Sequence, residues 1–248
     1  MVRKVKQVSL NDTLKDSSAA ALQTVDAIIC SQELQQYIDA GQAAFAPYSV
    51  VIKTGKGEWV DPQSEVNHHD SLAPLIQVPA LYAALTLLGE RRDLPMLYAG
   101  NSYGLALKML KMAGFTNLLG IDIDQRAVEF CKSQGLPAQV GDASNTGFPD
   151  NSIGIVISRD LVVKDYVPFN RELADSRIPV LDEMHRVLGS PGYAIFTTAS
   201  PIGTNNRGLP PQEEINASKF KGATYIDMNL PCTIEGKTFH FPIRTYVK

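Results

Sequence analysis

The chain has 248 residues, 44% of them hydrophobic, and its 23 basic and 26 acidic side chains give a net charge of −3. Nucleic-acid binders usually present a basic surface, so this balance argues against a protein that depends on phosphate contacts. The three cysteines, Cys30, Cys131 and Cys232, form no C-x-x-C pair, which argues against zinc and redox motifs.

The length and the apolar content favour one large α/β domain with an added element. No apolar run reaches the ~20 residues that a membrane span needs, and the first residues lack a hydrophobic signal core. We therefore expect a soluble, cytoplasmic protein with no membrane partner and no bound metal. The oligomeric state stays open.

The first predicted element is a helix over residues 11–38, where apolar side chains recur at helical spacing and Gly41 marks a stop. Residues 49–53 and 58–60 alternate in polarity around a glycine-rich turn. This pattern predicts a small hairpin.

A polar cluster of Asn67, His68, His69 and Asp70 precedes an apolar helix predicted over residues 72–88. A histidine pair followed by an acid could bind a metal or abstract a proton. Adjacent side chains point apart on a strand or a helix, however, and Asp70 would also make a good N-cap. A functional site and a helix start therefore both stay open here.

A βαβ unit is predicted over residues 94–124. It comprises a strand over 96–99, a turn with Gly100 and Gly104, a helix from near Leu105, and a strand over 117–121 that ends at Asp122. Glycines after a strand let the backbone approach a ligand, and the next helix directs free N–H groups at it. An acid about twenty residues further on can accept hydrogen bonds from a ribose diol. The unit therefore predicts an adenosine-containing ligand.

The spacing of the turn bears on which adenosine ligand is meant. A dinucleotide fingerprint has glycines at offsets 0, 2 and 5, which fall here on Gly100, Ser102 and Leu105. Glycines at offsets 0, 2 and 4 would fall on Gly100, Ser102 and Gly104, and this spacing fits the sequence better, because two of these three residues are glycines. A nicotinamide-dependent oxidoreductase is therefore the weaker interpretation.

From this turn onward the sequence resembles the class I S-adenosylmethionine (SAM) dependent methyltransferases, over about residues 94–200. That family has an acid at the end of the second strand and another after the third. An apolar fourth strand follows a P-D-N-S type turn, and a helix of pattern E-x-x-R-V-L and a Pro-Gly turn precede the fifth strand. The corresponding positions here are Asp122, Asp142, residues 149–152, residues 183–188, and Pro191 with Gly192.

The resemblance implies a Rossmann-like α/β fold with a mostly parallel seven-stranded sheet and helices on both faces. A C-terminal antiparallel hairpin would comprise residues 225–230 and 238–247. Residues 91–248 would form the SAM-binding domain. Residues 1–90 would form an N-terminal helical extension with the small hairpin, which either covers the cofactor cleft as a lid or only packs against the domain.

The resemblance also implies SAM as the cofactor and assigns residues to it. Asp122 would bind the ribose, Asp142 would accept the adenine amine, and the Ala143 N–H would meet a ring nitrogen. Asp124 is interpreted as the cap of a helix that starts at Gln125. The other predicted cofactor-binding residues are Tyr98, Gly100, Asn101, Ser102, Gly104, Ile123 and Ser158.

Two positions depart from the family pattern. Tyr98 stands where the family usually has an acid that helps to orient the methionine amino group, and Ser102 replaces the middle glycine. The Ser102 side chain narrows the space left for a ligand. These departures motivate a second hypothesis, a methyltransferase-like protein that binds a ligand or a partner without catalysis.

The fourth strand is predicted over residues 153–157, with Ser158, Arg159 and Asp160 emerging at its carboxyl end, where ligands bind in open α/β sheets. Residues 164–176 are interpreted as a substrate-facing loop, and residues 201–218 as a long loop. The leading hypothesis is a methyltransferase that acts on a small-molecule acceptor. If the acceptor is protonated, Asp160, His68 or His69 could serve as the base.

Overall fold

The computed structural model describes residues 12–45, 52–53, 59–60, 74–159, 177–198, 209–210, 212–234 and 237–248. The helices are α1 (Asp12–Ile29), α2 (Gln32–Phe45), α3 (Pro74–Leu88), α4 (Leu105–Met112), α5 (Gln125–Ser133), α6 (Arg177–Val187) and α7 (Gln212–Ala217). The strands are β1 (Ile52–Lys53), β2 (Trp59–Val60), β3 (Met96–Ala99), β4 (Leu118–Asp122), β5 (Ala138–Val140), β6 (Ile153–Arg159), β7 (Leu188–Thr197), β8 (Thr224–Ile234) and β9 (Lys237–Val247).

Seven of these strands form one sheet in the order β5-β4-β3-β6-β7-β9-β8. The first five strands of this order run parallel to one another, whereas β9 is antiparallel to both β7 and β8. The predicted mostly parallel sheet with a C-terminal antiparallel hairpin is therefore confirmed. Separately, β1 and β2 pair with each other in antiparallel fashion, as the polarity pattern predicts.

The alternation of side chains along β3 explains why helices cover both faces of the sheet. Met96 and Tyr98 belong to one buried apolar cluster, together with side chains of α1 to α5. Leu97 and Ala99 belong to a second cluster, together with side chains of α6 and α7. Successive residues of a strand point to opposite faces, so an uninterrupted apolar strand needs a helical layer on each side.

Helix α3 lies between α1 and the strands β7, β8 and β9. Its residues 77–86 are all buried. A helix that is apolar around its whole circumference is stable only when neighbours cover every side. None of the helices in the described ranges is both long and apolar enough to cross a membrane.

The N-terminal region differs from the single predicted helix, because two helices meet at Ser31. The Ser31 Oγ accepts a hydrogen bond from the Leu34 N–H at 3.2 Å and donates one to the Ile28 carbonyl at 2.7 Å. Ser31 therefore caps the start of α2. The predicted stop at Gly41 is wrong, since Gly41 lies inside α2 and is buried there.

Two other boundaries differ from the sequence prediction. Residues 212–217 of the predicted 201–218 loop form α7, and Ile215 of this helix is buried among the residues that cover the sheet beside α6. Strand β7 begins at Leu188 rather than at Tyr193, and a register shift between Ile153 and Ile155 of β6 absorbs the intervening residues.

An ion-pair network fastens the loop before β6 to α6. Arg186 donates two hydrogen bonds of 2.7 Å to the Glu183 carboxylate and one of 2.8 Å to the Phe148 carbonyl. The Thr146 N–H and hydroxyl also donate to Glu183, at 2.7 and 2.6 Å. Arg186 is the main cause that lowers the pKa of Glu183 from its ordinary 4.5 to about 2.

We predict that Glu183→Gln lowers the free energy of unfolding at neutral pH by about 1–3 kcal/mol, since it weakens hydrogen bonds to a charged group. The folded-state pKa of Glu183 lies below its ordinary value, so its contribution is complete above pH 4.5 and is lost as the pH falls toward 2. Urea unfolding at several pH values should show a shallower acid dependence for the variant. The exposed Glu129, changed to Gln, serves as the control, and equal acid dependence of Glu183→Gln and wild type would contradict the assignment.

Candidate functional site

The turn after β3 folds back over the end of β4. The Gly100 and Asn101 N–H groups both donate to the Ile121 carbonyl, at 2.9 and 3.1 Å. Gly100 and Gly104 have φ angles of 71° and 72°, and Ser102, which is not a glycine, also lies at a positive φ of 47°. Such angles are unfavourable for a residue with a Cβ, so the surroundings must hold this turn in place.

Asp122 supplies part of that support from inside the turn. Its Oδ2 accepts a hydrogen bond from the Ser102 N–H at 2.7 Å, and its Oδ1 accepts one from the Asp124 N–H at 3.0 Å. Burial raises the pKa of Asp122 above the ordinary value. Each carboxylate oxygen can accept a second hydrogen bond, so the ionised group retains capacity for a diol.

The neighbouring acid has a separate and purely local role. The Asp124 Oδ1 accepts from the Arg126 N–H at 2.9 Å, and its carboxylate pairs with the Arg126 guanidinium at 3.1 Å. This is the N-cap of α5, as predicted. Only Asp122 of the two acids therefore contacts the glycine turn.

Asn101 and Tyr98 turn away from the strand ends. The Asn101 Nδ2 donates to the Ser102 carbonyl at 2.8 Å and lies 3.5 Å from the Cys131 Sγ. The Tyr98 side chain is 1% exposed and lies in the apolar cluster with α3 and α4. Asn101 thus supports the turn by a hydrogen bond and Tyr98 by packing, and their contact with a cofactor stays a prediction.

An exposed apolar surface borders the turn at the ends of β4 and β5. Ile123 is 77% exposed and Val140 is 53% exposed, and the β4–β5 register sets Asp122 beside Val140. Ile123 and Val140 are the two large apolar side chains that are exposed among the described residues, and such side chains at a strand end offer contact area to a ligand or a partner. A flat apolar ring would find contact area here.

Asp142 and Ala143 follow directly after this surface. The Asp142 Oδ1 accepts hydrogen bonds from the Ser144 N–H and hydroxyl, both at 2.8 Å, while the residue itself is exposed. Ala143 is buried among the residues that cover the sheet beside α6. An exposed acceptor therefore follows two residues after Val140, and its contact with adenine stays a prediction.

Strand β6 continues to Arg159, two residues beyond the predicted end, so Ser158 does not emerge from the sheet. Its Cα pairs with Ala99 and Phe196, and its side chain is 1% exposed. No described residue forms a hydrogen bond with the Ser158 Oγ. This hydroxyl is a buried polar group beside the turn with capacity for a ligand.

The remaining predictions on the site concern Asp160, His68, His69 and the 164–176 loop, and all of these lie outside the described residues. Within the described part of the chain, no group of three or more His, Cys, Asp or Glu side chains could hold a metal ion. A surface cavity of about 430 Å³ lies between α1, the start of α2 and α4, lined by Ser31, Lys108 and Lys111 among others. It opens on the helical layer and is separate from the strand ends.

Sequence reasoning missed two residues that contact the turn. The Tyr37 hydroxyl of α2 donates to the Tyr103 carbonyl at 2.5 Å. The Cys131 Sγ of α5 lies 3.6 Å from the Ser102 carbonyl, and burial raises the pKa of this thiol to about 12. Neither residue belongs to a motif, because only the folded chain brings them beside residues 102–104.

Comparison with known proteins finds one matching family model and several similar solved structures. Residues 97–196 match the family model described as a methyltransferase domain. No curated protein matches the sequence. Among solved structures, a SAM-dependent methyltransferase from Archaeoglobus fulgidus is 13% identical with a TM-score of 0.51, over 70% of this chain and 93% of that chain.

A second similar structure is a chain in the complex between the Haloferax volcanii Trm112 methyltransferase activator and a methyltransferase. It is 16% identical with a TM-score of 0.50, over 72% of this chain and 92% of that chain. At these identities the similarity concerns the fold alone.

We predict that Gly104→Ala destabilises the protein by about 2–4 kcal/mol, because it combines a left-handed backbone with overpacking. A Cβ at Gly104 would lie 2.6 Å from the Cys131 Sγ and 3.1 Å from the Tyr37 Oη. Gly135→Ala is a matched control, since Gly135 has a φ of 68° but no atom within 4 Å of the added Cβ.

Urea unfolding of both variants measures the effect. The free energy of unfolding of the control, Gly135→Ala, should fall by about 1 kcal/mol, the cost of the backbone conformation alone. Equal losses in the two variants would mean that close packing against α2 and α5 does not constrain the turn.

Proposed function

We propose that this chain, whose residues 97–196 match the family model of a methyltransferase domain, is an active class I SAM-dependent enzyme that methylates a small-molecule acceptor. SAM is the cofactor that this domain implies. The observation that carries the proposal is the Asp122 carboxylate, which accepts the Ser102 N–H and borders an exposed apolar surface. A charged acceptor beside a glycine turn and an apolar wall suits a nucleoside.

Different described residues would bind the ribose, the adenine and the methionine part of this cofactor. Asp122 would accept hydrogen bonds from the ribose hydroxyls with its remaining lone pairs. Ile123 and Val140 would pack against the two faces or the edge of the adenine ring. Asp142 would accept the exocyclic amine while the Ala143 N–H donates to a ring nitrogen. The buried hydroxyl of Ser158 would face the methionine part.

Methyl transfer depends more on the positioning of the acceptor than on a dedicated catalytic group. SAM supplies a methyl group on a sulfonium, which is already a good leaving group. The protein then has to align the acceptor with that methyl group and exclude water. A base is required only if the acceptor is protonated at the working pH, and Asp160, His68 and His69 remain candidates for it.

The acceptor is proposed to bind where two segments leave the sheet. Residues 160–176 follow β6 and residues 199–208 follow β7, and both strands end at the same edge as the glycine turn. In open α/β sheets, ligands bind outside the carboxyl ends of the strands. The net charge of −3 argues for a small molecule rather than a nucleic acid.

A second candidate function is a methyltransferase-like binding protein without catalysis. Ser102 lies at a positive φ of 47° at the position of the family's middle glycine, and its Cβ reduces the space above the turn. Tyr98 replaces the usual acid with a buried ring. The similar chain from Haloferax volcanii comes from a complex with an activator protein, so this candidate function includes the binding of a protein partner.

We predict that Asp122→Asn weakens SAM binding by about tenfold or more, the scale of losing hydrogen bonds to a charged group. Calorimetric titration with SAM and with its demethylated product measures the effect. Asp124→Asn is the matched control. It also removes one carboxylate charge, but from the side chain two residues further on, which caps α5. Unchanged affinity in Asp122→Asn would exclude the ribose assignment.

We predict that Ser102→Gly tightens SAM binding by about threefold or more, because a left-handed backbone costs a residue with a Cβ about 1 kcal/mol or more. Asn151→Gly is the control, since Asn151 also has a positive φ, of 56°, but lies in the turn before β6. Binding that is present only in Ser102→Gly would favour the second candidate function. Tyr98→Glu is a poor test, because it would bury a charge in the core.

A further inference from the structure

The glycine turn has a second support, which lies outside the matched domain. Helix α2 buries Leu34, Tyr37 and Ile38 in the apolar cluster that also contains side chains of α4 and α5. An ion pair between Glu33 and Lys108 joins α2 to α4, the helix that begins directly after the turn. The N-terminal segment is therefore fastened to the helices on either side of the turn.

Tyr37 is the residue of α2 that reaches the turn itself. Its hydroxyl donates to the Tyr103 carbonyl at 2.5 Å, and Tyr103 directly precedes Gly104. The Tyr37 and Tyr103 rings both pack edge-to-face on Phe130, with centroids 5.5 and 6.3 Å away. Burial raises the pKa of Tyr37 well above its usual range, so the hydroxyl keeps its proton and remains a donor.

The turn needs such external support because of its own geometry. Ser102 lies at a positive φ, which a residue with a Cβ adopts only when its surroundings fix it. Asp122 accepts the Ser102 N–H from one side, and Tyr37 donates to the Tyr103 carbonyl from the other. If either contact is lost, the turn can leave this conformation more often. The apparent affinity for a ligand falls in proportion to the fraction that remains competent to bind it.

We propose that Tyr37 is a positioning residue for the cofactor: its hydroxyl holds the turn of residues 100–104 in the conformation that binds SAM. Helix α2 is then a functional part of the cofactor site, although it lies outside residues 97–196. This inference rests on the proposed function, because it takes SAM as the ligand of the turn. Tyr37 touches no reacting atom and acts only through the Tyr103 carbonyl.

SAM binding should in turn affect α2. If the contact from Tyr37 favours the SAM-bound turn, SAM must in turn favour the docked state of α2 by the same factor. Amide hydrogen exchange in α2 should therefore slow when SAM binds. Only exchange by local opening of α2 reports this coupling, because any ligand that binds the folded chain slows exchange by global unfolding.

The test compares three single variants with wild type by calorimetric titration of the full chain with SAM. Tyr37→Phe removes only the hydroxyl and should weaken SAM binding by about five- to tenfold, the scale of one buried hydrogen bond. Tyr246→Phe removes a tyrosine hydroxyl from β9, on the other face of the sheet, where Tyr246 is fully buried. Its affinity for SAM should equal that of wild type. Asp122→Asn reports on the proposed function independently.

Hydrogen exchange followed by mass spectrometry is the second measurement. In Tyr37→Phe without ligand, the peptide that contains residues 100–104 should exchange faster, and the slowing of α2 exchange by SAM should disappear. Both effects should be absent in Tyr246→Phe. These readouts separate a change in the turn from a general loss of stability.

The outcomes distinguish the inference from the function on which it rests. If Tyr37→Phe binds SAM within twofold of wild type while Asp122→Asn binds weakly, the inference is overturned and the proposed function stands. Equal weakening in Tyr37→Phe and Tyr246→Phe also overturns it, since the effect would then come from stability. Failure of wild type to bind millimolar SAM overturns both.

Discussion

The hydrogen bond from the Ser102 N–H to the Asp122 carboxylate is the contact on which the site depends. It joins the turn after β3 to the end of β4, two neighbouring parallel strands, and so fixes where the glycines stand relative to the acid. Burial raises the pKa of Asp122 and thus disfavours its charged form, whereas the hydrogen bonds from the Asp124 and Ser102 N–H groups favour the charged form. A carboxyl group whose pKa is shifted by burial at the end of a strand is typical of a functional site.

The two faces of the sheet contribute differently to this arrangement. Helices α1 to α5 and the rings of Tyr37, Tyr98 and Phe130 lie on one face, and they pack beneath and behind the turn. The face that α6 and α7 cover contains Ala99 and Ala143, and Ile123 and Val140 are exposed at the adjoining strand ends. The side chains on one face thus support the backbone of the turn, and the exposed ends of β4 and β5 remain available to contact a ligand.

The sequence was informative wherever a structural feature depends on residues that are close along the chain. The turn, the acid at position 122 and the cap at Asp124 all follow from local spacing, and the mostly parallel sheet with its antiparallel hairpin agrees with the resemblance. Predictions were wrong where packing overrides local preference. Gly41 continues a helix because it is buried, and β6 runs on to Arg159 because β7 pairs with it that far. Tyr37 could not be predicted, since 66 residues separate it from the carbonyl it binds.

The position of β9 between β7 and β8 has a consequence for the order in which the chain is completed on the ribosome. Strand β8 is synthesised before β9, yet β9 is its sole neighbour in the described sheet. Until β9 emerges, β7 also has one unpaired edge, and both strands expose backbone groups that could pair with another chain. An incomplete chain that lacks residues 237–247 would therefore leave unpaired edges on both β7 and β8, and such a chain is the form most exposed to pairing with another molecule.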